Sequence, residues 1–442
     1  MPFRQGDWRG RRLHFVAIGG AGMSGLALIA RSLGAAVTGS DRSESPYLAQ
    51  LRAAGIEPII GHAAGNVPAG AELVYSTAVA QDNPERATGR ASGARELHRA
   101  DLLAEMAALK RCLAVTGTHG KTTTTAMIIH VLAGCGLDPA YVVGGLLTTG
   151  TSAGWGSGEW IVVEADESDR SLLKLSPEIA VLTNAELDHH STYASRLDLE
   201  ETFREFMGRA ARAVVWDRPE LRALCPPGAV AYDAVDPILE PAGSRFVWEG
   251  LEVTVPVPGA HYAVNAAGAL TACALVGVDP VTAVTAIADF RGARRRLELL
   301  GRSATGAAVY DSYAHHPTEV AADLAAVRTL GPRRLLAVFQ PHLYSRTRAL
   351  AREFGAALAG ADASVVLDVY PARERPEDFP GVDGRLVASA AADAAAGRPV
   401  AWMPSFPAAQ RYLQSVLRDG DVCLVMGAGN IDALGRALVG AE

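Results

Sequence analysis

The chain has 442 residues, of which 49% are hydrophobic and 20% charged, and its formal net charge is -7. A chain of this length folds into roughly two to four domains with a large buried core. The mildly acidic balance argues against broad nucleic-acid binding, although a local basic pocket can still hold a phosphate ligand.

The cysteines and the apolar segments indicate a cytoplasmic protein without a membrane partner. The cysteines are scattered and show no C-x-x-C spacing, which is typical of reduced thiols; they are Cys112, Cys135, Cys225, Cys273 and Cys423. Residues 1–12 are polar and precede a strand, so the sequence predicts no signal peptide. The longest near-apolar run, 266–278, is too short to cross a bilayer.

Short β-branched runs recur along the chain, each followed by a glycine-bearing turn and an Ala/Leu-rich stretch. Strands that alternate with helices and are apolar on both faces predict parallel sheets covered by helices. The predicted strands are residues 13–18, 36–38, 73–76, 112–116, 160–164, 179–183, 213–216, 309–310, 335–339, 364–369 and 422–426.

A glycine loop restarts this pattern at Gly19, at Gly117 and near Gly301, which divides the chain into three blocks. The predicted domains are residues 1–104, 105–293 and 294–442. Residues 245–257 alternate without a helix and predict a small antiparallel addition to the middle block. The predicted fold class is α/β with three domains. The N-terminal domain is Rossmann-like, the central one has a P-loop ATPase-like, mostly parallel sheet, and the C-terminal one is again Rossmann-like.

The first glycine loop, residues 18–25 (IGGAGMSG), follows a strand and opens a helix. Gly20, Gly22 and Gly25 fit the pattern G-x-G-x-x-G, and Asp41 closes the next strand. The glycines allow backbone N–H groups to approach a diphosphate at the helix N-terminus. The loop alone does not identify that diphosphate. An NAD-dependent oxidoreductase is therefore still open here, and so are glycines that serve only strand–helix packing.

The second glycine loop, residues 115–125 (VTGTHGKTTTT), lies between an apolar strand and a helix predicted over 126–133. Its Gly-Lys-Thr end is that of a phosphate-binding loop, in which the lysine reaches the terminal phosphates and the Thr122 hydroxyl can bind Mg²⁺. Val115 stands where the common form has its first glycine, and Gly117 takes that place. An NAD enzyme has no use for a triphosphate loop.

Two polar clusters follow later strands of the middle block, at residues 164–169 (EADESD) and 183–190 (TNAELDHH). Ligands of doubly wound sheets bind at the carboxyl ends of strands. Carboxylate and hydroxyl oxygens suit Mg²⁺, and an imidazole can complete the shell. The alternatives are that Glu164 is a solvated turn carboxylate and that His189 and His190 are ordinary loop histidines.

Together with motifs further along, these segments resemble the Mur ligase family over essentially the whole chain. The motifs are 19–27 (GGAGMSGLA), 117–123 (GTHGKTT), 164–169 (EADESD), 183–184 (TN), 188–189 (DH), 261–265 (HYAVN), 295–296 (RR), 311–319 (DSYAHHPTE), 339–347 (FQPHLYSRT) and 427–431 (GAGNI). The combination of GMSGLA, EADESD, HHPTE and PH-x-YSR is similar to the alanine-adding branch of that family.

The resemblance implies an ATP- and Mg²⁺-dependent ligase of peptidoglycan synthesis, a cytoplasmic step of cell wall biogenesis that supports cell shape and cell division. Such an enzyme joins the lactyl carboxylate of UDP-N-acetylmuramate to L-alanine through an acyl phosphate, with ADP as a product. The implied partners are UDP-N-acetylmuramate, L-alanine and ATP, for a monomer or a homodimer.

The resemblance also implies a role for individual residues. The implied catalytic residues are Lys121, Glu164, His189, His315 and Arg346. The implied UDP-sugar site comprises Gly19, Gly20, Gly22, Met23, Ser24, Asp41, Ser76 and Thr77. The implied ATP site comprises Gly117, Thr118, Gly120, Lys121, Thr122, Thr123, Asn265, Arg296 and Asp311. The implied amino-acid contacts are Tyr313, His315 and Arg346, and the implied metal ligands are Thr122, Glu164 and His189.

The chain departs from the family pattern at Leu297, where many relatives have phenylalanine, and at Leu343, where some alanine-adding members have arginine. Residues 190–212 contain no lysine, which excludes a lysine carbamate from that segment. Asp311 as a turn cap and Arg346 as a surface charge remain the structural alternatives. Three other functions stay open. They are a sister ligase that attaches a preformed peptide to the same nucleotide sugar, an NAD-dependent oxidoreductase and a non-enzymatic binding relative.

Overall fold

A computed structural model describes residues 5–189, 192–241 and 243–440. The chain divides into two compact units. The first covers the described residues up to 186 together with 196–233 and 265–287. The second covers the described residues of 187–195 and 234–264 together with those from 288 on.

The N-terminal part of the first unit is a five-stranded parallel sheet in the order β3-β2-β1-β4-β5. This order is that of a Rossmann domain, as the glycine loop predicts. Its strands are β1 (Arg12–Val16), β2 (Ala36–Asp41), β3 (Ile59–Ile60), β4 (Glu72–Tyr75) and β5 (Glu96–His98). Its helices are α1 (Ala21–Ser32), α2 (Leu48–Ala53), α3 (Pro84–Ala91) and α4 (Arg99–Ala107).

The rest of the first unit is built on a seven-stranded sheet in the order β12-β11-β10-β6-β9-β7-β8. Only the β7–β8 pair is antiparallel, so the sheet is mostly parallel, as predicted. Its strands are β6 (Arg111–Thr116), β7 (Ala140–Val142), β8 (Ala153–Gly154), β9 (Trp160–Glu164), β10 (Ile179–Leu182), β11 (Arg212–Trp216) and β12 (Val230–Tyr232). Its helices are α5 (Lys121–Gly134), α6 (Arg196–Gly208), α7 (Pro219–Arg222), α8 (Ala260–Val276, in this unit from 265 on) and α9 (Pro280–Ile287).

The start predicted for the helix after the second glycine loop is wrong. The helix begins at Lys121, five residues before the predicted 126, because Gly120 adopts a left-handed conformation (φ 77°) at its N-cap. The four following threonines are all buried, so tertiary packing outweighs the weak helix propensity of β-branched residues.

The second unit contains two sheets. The predicted antiparallel addition is a separate three-stranded sheet, β13 (Ile238–Glu240), β14 (Gly243–Trp248) and β15 (Leu251–Val255), and it does not extend the seven-stranded sheet. It groups with the second unit instead of with the middle block.

The other sheet of the second unit has six strands in the order β16-β17-β21-β18-β19-β20, parallel except for the β16–β17 pair. Its strands are β16 (Glu298–Arg302), β17 (Ala308–Ser312), β18 (Leu335–Phe339), β19 (Ala363–Val366), β20 (Val400–Trp402) and β21 (Val422–Met426). Its helices are α10 (Pro317–Arg328), α11 (Tyr344–Leu358), α12 (Gly384–Ala394), α13 (Phe406–Val416) and α14 (Asp432–Val439). The predicted strand 364–369 ends earlier, at Val366.

All five cysteines are free thiols, and three of them are buried. Across the described residues, no helix combines the length and the apolar character that a membrane span requires.

Two glycines of the antiparallel sheet provide a test of its backbone geometry. Gly243 has φ 150°, and a Cβ there would lie 2.1 Å from the Val255 carbonyl oxygen, whereas Gly250 has φ 79° and open space around it. We expect Gly250→Ala to lower the free energy of unfolding by about 1–2 kcal/mol, the cost of the left-handed backbone alone. Gly243→Ala adds a collision with backbone and should cost at least about 3 kcal/mol. Urea unfolding followed by circular dichroism measures both, and equal costs would contradict the close approach at Gly243.

Candidate active site

The first glycine loop is held by two side chains at and just after the end of β2. Gly20 is the N-cap of α1, so the first N–H groups of that helix face the loop. The Asp41 carboxylate accepts a hydrogen bond from the Gly19 N–H at 2.8 Å, and the Ser45 hydroxyl donates to the Gly19 carbonyl at 2.8 Å. In a dinucleotide enzyme, the residue at the position of Asp41 binds the ribose hydroxyls. Here one of its carboxylate oxygens stabilises the loop.

The other residues of the predicted UDP-sugar site differ in exposure. Met23 and Ser24 are buried on α1, and the Ser24 hydroxyl accepts a hydrogen bond from Gln50 Nε2 at 3.2 Å. Ser76 is half-buried and Thr77 exposed, just after the end of β4. A Cβ on Gly19 would lie 2.8 Å from Leu48, so this position requires glycine for close packing.

The second glycine loop lies at the carboxyl end of β6 and depends on two glycines with positive φ. Gly117 has φ 130°, and a Cβ there would lie 2.1 Å from the Thr183 hydroxyl. Gly120 has φ 77°, and a Cβ there would lie 2.7 Å from the Asn265 side-chain oxygen. The structure therefore brings Asn265 of α8, a predicted ATP contact, to the tip of the phosphate-binding loop. The loop is further tied to the segment after β10, because the Thr118 hydroxyl donates to the Glu186 carbonyl at 2.7 Å.

Lys121 lies at the start of α5, and its side chain is 13% exposed. Its Nζ donates to the Gly117 carbonyl at 2.6 Å and to the Thr118 carbonyl at 3.0 Å, and it forms an ion pair with Glu167 at 2.8 Å. Burial alone would lower the pKa of Lys121, but the charges of Glu167, Asp166 and Glu164 raise it above its ordinary value. Lys121 therefore remains an ammonium group in the loop at neutral pH.

Thr122 and Glu164 form the predicted metal site in the first unit. The Thr122 hydroxyl lies 3.0 Å from Glu164 Oε1, and the Gly144 N–H donates to Glu164 Oε2 at 2.8 Å. Two neighbouring oxygen ligands of an octahedral Mg²⁺ shell, each about 2.1 Å from the ion, are about 3.0 Å apart. These two oxygens therefore fit a magnesium ion without a change in their separation.

The second unit contains a buried ion pair between Asp188 and Arg346. Arg346 Nε donates to Asp188 Oδ1 at 2.8 Å and Nη2 donates to Oδ2 at 3.0 Å, with both side chains 3% exposed. Burial would raise the pKa of Asp188, but the charges of Arg346 and His189 hold it well below its usual range. Arg346, predicted to bind the amino-acid carboxylate, is thus not a surface charge, and its guanidinium already has a carboxylate partner.

Asp188 also organises the loop that carries His189. The Asp188 carboxylate accepts a hydrogen bond from the His189 N–H at 2.7 Å, and His189 adopts a left-handed backbone with φ 52°. Since Glu164 belongs to the first unit and His189 to the second, a metal shared by these two residues stays a prediction. His190 lies outside the described residues.

Two histidines and a tyrosine lie near Arg346. Arg346 Nη1 is 3.2 Å from His342 Nδ1, and the rings of His342 and His315 are 6.1 Å apart. The Tyr313 ring packs edge-on against His315 at 5.5 Å. Burial, with a contribution from Arg346, lowers the pKa of His315 to about 4. Burial and the charges of His315 and Arg346 lower the pKa of His342 to about 2. Both imidazoles are therefore neutral above pH 6.

Part of the HHPTE motif is structural. His316 is the N-cap of α10 and Pro317 its first residue, and the Glu319 carboxylate accepts hydrogen bonds from the His315 and His316 N–H groups. This capping box fixes the start of the helix and thereby the backbone of His315.

Asp311 is bound by an arginine that the sequence interpretation did not select. Arg295 Nε donates to Asp311 Oδ2 at 3.1 Å, and its Nη groups donate to the carbonyls of Gly427 and Gly429 in the GAGNI loop. Burial raises the pKa of Asp311 to about 6 despite this partner. The predicted nucleotide contact Arg296 lies 3.9 Å from Glu319 and over the Tyr313 ring.

Several residues of these sites received no individual role from the sequence. Asp188, His342, Glu167 and Arg295 lie within recognised motifs but are assigned to them only by their contacts in the structure. Gly144 lies outside every motif, and the approach of its N–H to Glu164 could not be inferred from spacing.

Family models match the chain in three consecutive segments. They are described as the Mur ligase family catalytic domain (residues 12–111), the Mur ligase middle domain (115–273) and the Mur ligase glutamate ligase domain (295–429). Since these three matches together cover most of the sequence, the chain belongs to the Mur ligase family of ATP-dependent ligases.

Curated relatives match over almost their whole length. The UDP-N-acetylmuramate–L-alanine ligase of Streptomyces coelicolor is 45% identical, over 97% of this chain and 97% of the relative. The enzyme of the same name from Mycobacterium sp. (strain JLS) is 43% identical, over 98% of this chain and 95% of the relative.

Solved structures of related ligases have a similar fold. The crystal structure of UDP-N-acetylmuramate–alanine ligase from Thermotoga maritima superposes with a TM-score of 0.84 at 28% identity, covering 97% of this chain and 98% of that one. A murein peptide ligase from Psychrobacter arcticus gives a TM-score of 0.70 at 23% identity over 98% of both chains, which shows the shared fold alone.

Gly144→Ala tests the geometry of the metal site. A Cβ at this position would lie 2.8 Å from Glu164 Oε1 and would push the carboxylate from its place beside Thr122. We expect the Mg²⁺-dependent affinity for ATP to fall roughly tenfold, the usual loss when a metal ligand loses its support. Calorimetry with and without Mg²⁺ measures this. Gly208→Ala, with open space around its Cβ, is the control. A Gly144→Ala protein with unchanged Mg²⁺ dependence would contradict the proposed ligand pair.

Asp188→Asn tests the buried ion pair. It leaves the Arg346 charge buried without a counter-ion and should cost about 3 kcal/mol of unfolding free energy. Asp198→Asn breaks the more exposed Asp198–Arg170 pair, with side chains 30% and 40% exposed, and should cost less than about 1 kcal/mol.

The loss of unfolding free energy caused by Asp188→Asn should depend on pH in a defined direction. The pKa of Asp188 is lowered in the folded state, so the pair contributes fully above the ordinary aspartate pKa and is lost as pH falls below it. Urea midpoints should therefore differ equally at pH 6 and pH 8 and converge only below about pH 4. A difference that already closes by pH 6 would mean that Asp188 is protonated there.

Proposed function

We propose that the protein is an ATP-dependent ligase that joins the lactyl carboxylate of UDP-N-acetylmuramate to L-alanine, with ADP and phosphate as products, in peptidoglycan precursor synthesis. The observation that carries the proposal is the convergence of Lys121, Thr122 and Glu164 at one phosphate loop in a chain 45% identical to a ligase of that name. An NAD-dependent oxidoreductase would leave Lys121, Glu164 and His189 without a role.

The three blocks have separate roles in this proposal. Residues 1–104 bind the UDP-sugar through the Gly19–Gly25 loop with Ser76 and Thr77. Residues 105–293 bind ATP, and residues 294–442 bind the amino acid. The enzyme acts in the cytoplasm as a monomer or a homodimer.

In the first step, an oxygen of the lactyl carboxylate attacks the γ-phosphorus of ATP. The bond to the bridging oxygen breaks, which gives an acyl phosphate and ADP. Both reactants are anions, so the barrier is lowered mainly by positioning and by neutralising charge. Lys121 supplies a fixed ammonium for this, since its neighbouring carboxylates raise its pKa. Mg²⁺ held by Thr122 and Glu164 would supply the remaining positive charge, and His189 is proposed as a ligand near the lactyl carboxylate.

In the second step, the amine of L-alanine attacks the acyl carbon and phosphate leaves. His315 Nδ1 lies 2.9 Å from the Tyr313 carbonyl, which can only accept, so Nδ1 carries the hydrogen and Nε2 carries the lone pair. A neutral imidazole of this tautomer accepts a hydrogen bond from the amine without repelling it. Arg346, whose Nε and Nη2 already bind Asp188, would receive the amino-acid carboxylate through its remaining nitrogen, and Tyr313 would bound the pocket.

The proposal is tested by phosphate release in the presence of ATP, Mg²⁺ and UDP-N-acetylmuramate, with single amino acids added in turn and each component omitted. We expect release to require all components and to be fastest with L-alanine. Turnover with a tripeptide but with no single amino acid would replace the proposal by the peptide-adding alternative.

Lys121→Ala should reduce phosphate release at least about a hundredfold, because a buried ammonium is lost from the phosphate loop. Lys174→Ala removes an exposed lysine paired with Asp101 and serves as the control, with activity near wild type. A Lys121→Ala enzyme that turns over at the wild-type rate would remove Lys121 from the mechanism.

A further inference from the structure

Arg99, the first residue of α4, lies between two motifs of the first unit that the sequence treats separately. Its Nη2 donates to Asp166 Oδ2 at 2.8 Å and to Asp169 Oδ2 at 2.9 Å, both in the EADESD segment. Its Nη1 lies beside Gly22 of the first glycine loop, 3.3 Å from where a Cβ on that residue would be. The side chain is 19% exposed. One guanidinium therefore lies next to the glycine loop at one nitrogen and donates to the acidic motif at another.

The hydrogen-bonding capacity of this guanidinium is only partly used. Every hydrogen bond of the Arg99 side chain within the described residues runs through Nη2, the third being to the Ser171 hydroxyl at 3.5 Å. Nη1 and Nε donate to none of the described residues, although they belong to a largely buried group. A guanidinium in such a position gains most from a further anionic acceptor.

The surroundings of Nη1 define the chemistry of that acceptor. The N-terminus of α1 begins at Ala21, directly after Gly20, and contributes N–H donors and the positive end of its dipole to the same loop. Gly22 has no side chain, so a ligand on the loop reaches both the backbone and the guanidinium. Adjacent N–H donors and a planar cation fit a phosphate or diphosphate group.

The two aspartates have a positioning role in this arrangement. Asp166 and Asp169 bind Nη2, the nitrogen that does not face the loop. Two carboxylates on this nitrogen fix the plane of the guanidinium, whereas a single flexible partner would leave the guanidinium free to rotate. Although burial would lower the pKa of Arg99, Asp166 and Asp169 raise it, so the charge is permanent. Because Asp166 follows Glu164 by two residues, the same contact links the glycine loop to the segment of the metal site.

We infer that Arg99 is a binding residue for the diphosphate of the nucleotide sugar, reached through Nη1 from the Gly20–Gly22 loop and held in orientation by Asp166 and Asp169. The inference rests on the proposed function for the identity of the nucleotide sugar. It assigns recognition of the diphosphate to Arg99 together with the N–H groups of the loop.

The test compares UDP, UMP and uridine binding to the full-length protein by calorimetry, with a non-hydrolysable ATP analogue present to fill the second loop. For Arg99→Gln we expect UDP affinity to fall roughly 10- to 100-fold, the range of a charge-assisted contact. Uridine affinity should change less than about twofold, since no phosphate is present to lose a contact. UMP should fall between the two, and the affinity for the ATP analogue should be unchanged.

Two further variants separate binding from folding. Arg111→Gln removes an arginine that pairs with Glu178 at the amino end of β6, and it should leave all three affinities unchanged. Arg99→Lys keeps the charge but cannot serve the aspartates and the loop together, so it should lose UDP affinity while retaining wild-type thermal unfolding. If Arg99→Gln does not fold, the comparison of Arg99→Lys with wild type decides the question.

Equal losses for UDP and uridine, or no loss for either, would overturn the inference and leave Arg99 as a structural ion pair. Failure of the proposed function is distinguishable from this, because it would appear in the wild-type protein as absence of turnover with UDP-N-acetylmuramate. A wild-type enzyme that turns over, with an Arg99→Gln variant whose KM for the nucleotide sugar is unchanged, would contradict the inference alone.

Discussion

The close contact between the Thr122 hydroxyl and the Glu164 carboxylate is the constraint on which the rest of the first unit depends. Thr122 opens the helix after β6, and Glu164 ends β9, the strand that pairs with β6 through Val115 and Glu164. Two neighbouring parallel strands thus deliver a hydroxyl and a carboxylate to the same sheet edge. The close approach also requires Gly144, because a Cβ there would lie 2.8 Å from Glu164 Oε1.

In the first unit, two cations are paired with carboxylates of the acidic motif at residues 164–169. Lys121 lies beside Glu167, and Arg99 lies beside Asp166 and Asp169, so the acidic motif after β9 holds one cation at each glycine loop. Without such partners a buried ammonium would lose its proton, and a buried guanidinium would stay charged at a large cost in desolvation. The acidic motif therefore serves mainly to orient two positive groups, and Glu164 is its proposed metal ligand.

In the second unit, neutral imidazoles lie near a buried ion pair. Around the buried Asp188–Arg346 pair, His315 and His342 have low pKa values and stay neutral, so these two imidazoles add no charge beside the pair. Burial away from water strengthens the attraction between Asp188 and Arg346. It also suits an amino acid whose amine must be unprotonated when it attacks.

The sequence by itself determined the α/β class, the two glycine loops and the family, because these depend on local periodicity and on motifs with a fixed mechanism. The parallel sheets and the phosphate loop follow from short apolar strands and from Gly-Lys-Thr at a helix start. Helix and strand ends were less well determined, as at Lys121, where burial of four threonines overrides their propensity. Only the tertiary structure decided which partner each charged residue has. Asp188 meets Arg346 from 158 positions away, and Arg295 rather than Arg296 binds Asp311. Such pairings depend on how strands are ordered in a sheet and how loops pack at its edge, and no local pattern in the chain encodes those distances.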